Sequence, residues 1–127
     1  MPNNVSSSNN AVATLMYQCG VSVDMQYSPT GSNAYVISSM SPITNCAEYA
    51  YKTYFGYNAT TLQGLQRVSY SFTAWKNLLK NELDNSRPIQ YAGFGSGGGH
   101  TFVCDGYDAS DFLSHELGLG PTLMGLL

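Results

Sequence analysis

Apolar side chains recur at helical spacing in three stretches of this chain, and shorter apolar runs bounded by turn residues lie between and after them. From Asn10 to Cys19, Ala11, Leu15 and Cys19 share a face with Val12 and Met16 beside them, which predicts a helix stopped by Gly20. Val21-Ser22-Val23-Asp24-Met25 alternates as a strand does, and Ser28-Pro29-Thr30-Gly31-Ser32-Asn33 carries loop chemistry. A second helix is expected from Ser41-Pro42, with Pro42 in its first turn, through Tyr51 to Tyr54-Phe55, ended by Gly56. In the third, Thr73 is the expected N-cap. Trp75, Leu78, Leu79 and Leu83 form one face and Lys76, Lys80 and Asp84 the other, until Asn85-Ser86-Arg87-Pro88 breaks the pattern. Ile89 to Phe94 then reads as a strand, Gly95 to Gly99 as a turn, and His100 to Tyr107 as a second strand. Helices first and a β-hairpin after them predict an α+β architecture with an antiparallel sheet, built as one domain.

Composition narrows the classes of function. Only 10% of residues are charged, against a usual ~25%. Five Lys and Arg against eight Asp and Glu give a net charge of -3 with no basic run, so no nucleic-acid partner is expected. No window approaches ~18 apolar residues, so no membrane span is expected either. The start, Met1-Pro2-Asn3-Asn4, lacks the basic and apolar regions of a signal peptide. Three cysteines without CxxC spacing (Cys19, Cys46, Cys104) argue against a disulfide framework or a zinc site, and no metal or cofactor is expected. Polarity comes instead from Tyr, Ser and Asn, a surface that fits a secreted or cell-surface bacterial protein.

Candidate chemistry concentrates at Gly97-Gly98-Gly99-His100. The glycines leave the backbone bare beside an imidazole, so another chain can approach it closely. Histidine takes and returns a proton near neutral pH. A cleft for an extended substrate is one reading; a strand histidine that satisfies a backbone partner is the other. Gly93-Phe94-Gly95-Ser96-Gly97-Gly98 fits GxGxxG, but a strand and not a helix follows, which removes the phosphate reading. A metal site from His100, Cys104, Asp105 and Asp108 would need ligands from both faces of a strand. Glu82 and Asp84, two apart on a helix, read as a solvated face.

The order and spacing of several segments resemble the C-terminal part of the catalytic domain of streptopain-like cysteine peptidases. The segments are Leu15-Met16 with Cys19-Gly20-Val21-Ser22-Val23-Asp24-Met25, Tyr54-Phe55-Gly56-Tyr57, Trp75 with Glu82-Leu83, Arg87-Pro88-Ile89-Gln90-Tyr91-Ala92-Gly93, and Gly98-Gly99-His100-Thr101-Phe102-Val103-Cys104-Asp105-Gly106. The resemblance spans about Ala11 to Asp111. It implies a partial papain-like fold, an antiparallel sheet half with helices, and a Cys-His thiol mechanism in which His100 matches the catalytic histidine. It also implies that Gly98 and Gly99 floor a polypeptide-binding cleft bordered by the loop around Ser32, and that the protein is secreted or at the cell surface. The expected partners are a polypeptide substrate and a propeptide or missing N-terminal half of the domain.

Two segments depart from the family pattern. The nucleophile motif, of Cys-Val-Ala-Thr-Ala type, has no match. Cys19 falls at a helix end, Cys46 within a helix, and Cys104 about 13 Å along the strand from His100 at ~3.3 Å per residue, so all three read as ordinary buried thiols. After Asp111, where the family has Phe-His-x-Asn-Trp-Gly-Trp-Gly-Gly, the chain reads Phe112-Leu113-Ser114-His115-Glu116-Leu117-Gly118-Leu119-Gly120. Codons compatible with those residues, read one base out of register, give Phe-Phe-His-Met-Asn-Trp-Gly-Trp-Gly. Residues 112–127 are therefore expected to be frame-shifted, with no chemistry assigned to His115 or Glu116. The competing view is a genuine divergent tail. The chain is expected to be a peptidase fragment, inactive and aggregation-prone by itself. The alternative is a non-catalytic extracellular binding module, or a decayed gene remnant, on a protease-like scaffold.

Overall fold

A computed structural model describes residues 6–40, 43–95, 98–110 and 122–126 of the chain. Three helices and a four-stranded antiparallel sheet make an α+β fold: α1 Asn10–Ser22, α2 Ala47–Thr53, β1 Gly64–Gln66, α3 Phe72–Asp84, β2 Ile89–Gly95, β3 Gly98–Cys104 and β4 Thr122–Leu126. The strand order is β1-β4-β2-β3.

α3 forms where the pattern predicts and buries the predicted face. Trp75 and Leu79 pack with Ile89, Tyr91 and Cys104, and Leu78 and Leu83 lie against them. Its N-cap is Ser71 rather than Thr73, because the Ser71 hydroxyl accepts the Ala74 N–H at 3.2 Å. On the polar side Asp84 is exposed and Glu82 half-buried, each with a hydrogen-bond partner. Glu82 receives Arg87 Nε at 2.6 Å and Nη2 at 2.9 Å, and the Tyr107 hydroxyl donates to Asp84 at 2.6 Å.

α1 overruns its expected stop at Gly20, and the strand expected over Val21–Met25 does not form. The helix continues to Ser22, whose hydroxyl donates to the Cys19 carbonyl at 2.8 Å. Asp24 makes the left-handed turn instead, with φ 51°, and the Met25 N–H returns to the Gly20 carbonyl at 2.9 Å. Gly20 serves packing: a Cβ there would collide with the Tyr27 hydroxyl. α2 starts at Ala47 with Cys46 as N-cap, five residues after Pro42; Cys46 is thus outside the helix and buried. Gly56, φ 73°, takes the expected role just beyond its end.

The hairpin is tighter than the glycine run predicts. β2 and β3 pair from Ile89–Cys104 to Gly95–Gly98, so β3 begins at Gly98 and ends before Tyr107. β1 and β4 have no counterpart in the sequence reading. β4 lies between β1 and β2, pairing Met124 with both Gln66 and Ala92. Phe112 to Gly120, with His115 and Glu116, lie outside the described residues.

Candidate active site

Alternation along β2 and β3 gives the sheet two different faces. Ile89 and Tyr91, with Phe102 and Cys104 opposite, face the α3 core. Ala92 faces a second cluster with Val36, Ile37 and Ala47.

His100 pairs with Gly93 near the turn end of the hairpin and is exposed. Its ring ends a ladder of aromatic contacts: Tyr70–Trp75 at 5.6 Å, Trp75–Tyr91 at 6.2 Å, Tyr91–Phe102 at 5.5 Å and Phe102–His100 at 6.2 Å with the last planes 22° apart. Trp75 Nε1 donates to the Tyr91 hydroxyl at 3.0 Å inside that ladder. The α3 core thus seats the imidazole while leaving it open to solvent. That resolves the two sequence readings in one respect: this histidine is not a buried strand residue.

A cleft of about 780 Å³ runs along the other face of β2 and β3, lined by Gly99, Thr101, Gln90 and Phe94, and His100 borders it from the edge strand β3 with its ring turned to the Phe102 side. Its opposite wall is residues 32–36 with Met40 and Ala47. That wall has a local cause. Gln26 and Asn33 bond each other's backbone at 2.9 and 3.2 Å, closing the loop that carries Ser32. The first amides of α2, Ala47 and Glu48, donate to the Tyr35 and Val36 carbonyls at 3.0 and 2.9 Å, satisfying helix N–H groups that would otherwise lack partners. No Asp, Glu, Lys or Arg is among the described residues lining the cleft.

The structure therefore brings Ser32, Gly99 and His100 to one cleft. Gly98 is not among the lining residues; its φ of 109° places it in the turn, at a backbone conformation that favours glycine. Gly99 is needed for contact, because a Cβ there would lie 2.6 Å from Phe94 Cε1. The absent side chain lets the Phe94 ring lie across β3 at Gly99. Gln90, Phe94 and Thr101 were missed in the sequence reading. Their period-two spacing was visible, but the face turned toward the cleft was not.

No described cysteine is placed to meet the imidazole. Cys104 is buried four residues along β3, its thiol 3.8 Å from the Gly106 carbonyl. Cys46 is buried at the start of α2 and Cys19 lies on α1. Among the described residues no three His, Cys, Asp or Glu side chains are grouped to hold a metal, and no helix is long and apolar enough to cross a membrane.

Comparison with known proteins is consistent with this arrangement. Streptopain of Streptococcus pyogenes is 36% identical over 110 residues, covering 87% of this chain and 25% of that protein. The thiol protease/hemagglutinin PrtT of Porphyromonas gingivalis is 31% identical over 125 residues, 94% of this chain and 13% of that protein. The chain thus spans a quarter or less of the curated relatives it matches. Active interpain A, a cysteine protease of Prevotella intermedia, superposes with a TM-score of 0.77 at 28% identity, covering 98% of this chain and 58% of that one. A prointerpain A fragment superposes with a TM-score of 0.75 at 30% identity, covering 100% and 46%. The fold is that of the papain-like proteases. The model of the peptidase C10 family matches residues 1–121, and the chain belongs to that family of cysteine peptidases.

Proposed function

We propose that this chain is the histidine-bearing part of a cysteine endopeptidase, whose thiol nucleophile comes from polypeptide outside these 127 residues. The observation that carries the reading is His100 itself: exposed, seated by the aromatic ladder, and at the border of a cleft whose described lining holds no Asp, Glu, Lys or Arg. His100 takes the proton from the cysteine thiol, and the thiolate attacks the substrate carbonyl carbon. The imidazolium then protonates the leaving amine as the C–N bond breaks, leaving a thioester. Water, deprotonated by the same imidazole, hydrolyses that ester and regenerates the thiol. Gly99 lines the cleft on the side of His100, and Ser32 borders the opposite side. The substrate is a polypeptide, and a propeptide is a natural further partner, since a pro-form of interpain A has been solved. Secretion or display at the cell surface follows from the same reading.

The test is casein hydrolysis by the chain alone and after co-refolding with the part of interpain A that lies outside the match. No hydrolysis is expected from the chain alone. The mixture is expected to hydrolyse casein until iodoacetamide is added, and not at all with His100→Ala. Alkylator-sensitive hydrolysis by the chain alone, or hydrolysis that survives His100→Ala, overturns the reading. A non-catalytic binding module would leave the mixture inert.

A further inference from the structure

Gln90 is the one side chain on β2 whose polarity the fold leaves unexplained. It lies between buried Ile89 and Tyr91, and its side chain borders the cleft on the face it shares with Ala92 and Phe94. Its Oε1 is buried and has no hydrogen-bond partner among the described residues. Leaving such an acceptor unpaired destabilises the fold, and folded domains keep few of them. An apolar side chain would satisfy the sheet equally well, as it does at Ala92.

The position of Gln90 suggests what pairs with it. Gly93, the cross-strand partner of His100, is three residues from Gln90 along β2. At ~3.3 Å per residue that is about 10 Å, or three residues of extended chain. With no Asp, Glu, Lys or Arg among the described residues lining the cleft, an amide oxygen there suits a neutral donor. The peptide N–H is the donor that every extended substrate carries. Rotation about the terminal amide torsion is soft, so the carboxamide can turn toward it.

We propose that Gln90 anchors the substrate: its side-chain oxygen accepts a hydrogen bond from a backbone N–H of an extended polypeptide, about three residues from the bond positioned at His100. This rests on the cleft reading above. Because the donor is main chain, Gln90 fixes the register of the substrate rather than the identity of its side chain. Proline, which has no N–H, is excluded at that one position.

The experiment is a thermal-shift titration of the full chain with capped tetra-alanine and with the same peptide N-methylated at one residue at a time. The wild type, Gln90→Met and Gln90→Leu are compared. Without peptide, each variant is expected to melt about 2–6 °C higher, because the unpaired acceptor is gone. With tetra-alanine, each is expected to bind about tenfold more weakly than the wild type. One N-methylated peptide should lose that same factor against the wild type and nothing against the variants. Equal affinity of wild type and both variants for tetra-alanine overturns the role of Gln90 and leaves the cleft reading standing. No binding to the wild type overturns both. Variants that melt lower than the wild type also overturn the proposal, since Gln90 would then be holding the fold.

Discussion

Glu48 is a charged residue whose effect extends well beyond its own helix. Only 8% exposed, it accepts the Ser38 N–H and hydroxyl at 2.9 Å each and the Lys52 ammonium at 2.7 Å. Burial alone would raise its pKa, but hydrogen bonds from Lys52 and Ser38 outweigh that and hold it below the ordinary 4.5. A carboxylate depressed on folding stabilises fully above its unfolded value. That contribution is lost as pH falls through the lower folded value. Glu48→Gln is therefore expected to cost about 1–3 kcal/mol near neutral pH and to lessen the fall in stability on acidification. Urea unfolding followed from about pH 7 down to about pH 2.5 checks both; an unchanged acid slope would contradict the assignment. Ser38 and Glu48 are ten residues apart and joined by no local pattern, so this pairing could not be read from sequence. His100 could, because the glycines beside it mark it.

At the scale of elements, α3 was legible because its apolar residues serve one buried surface. The only tryptophan of the chain sits on that surface and reports on it. Tyr91→Phe removes the acceptor for the Trp75 indole N–H and leaves a buried donor unpaired. A loss of about 1–3 kcal/mol is expected, read from the urea midpoint, together with a shift in tryptophan fluorescence. A Tyr91→Phe variant as stable as the wild type would show that the ladder is held by packing alone. α1 misled the sequence reading for the opposite reason. It buries only Gly20, so its end was set by a turn at Asp24 rather than by an apolar period.

For the whole molecule, the telling feature is how little α1 touches. From Asn10 to Ser22 there is no charged residue, yet Met16, Tyr17 and Val21 are 66%, 69% and 59% exposed. A helix of this length is marginal in water without a packed face, and a contiguous exposed apolar surface favours association. The isolated chain is expected to self-associate with rising concentration in sedimentation velocity. Met16→Glu combined with Val21→Lys should shift it toward monomer without moving the urea midpoint reported by Trp75. A wild-type chain that stays monomeric at high concentration would contradict this.

The sequence by itself determined the α+β class, the amphipathic α3, the β2–β3 hairpin, the family likeness and the prominence of His100. Each rests on local information: a period, a turn residue, or a motif whose spacing survives in one dimension. Tertiary structure decided which face of the hairpin became a cleft, and that Ser32 reaches it while Gly98 remains in the turn. It also decided that β4 enters between β1 and β2, and that the oxygen of Gln90 is buried without a partner among the described residues. Those outcomes depend on contacts between residues far apart in the chain, and no local pattern encodes which distant segment will pack against a given face.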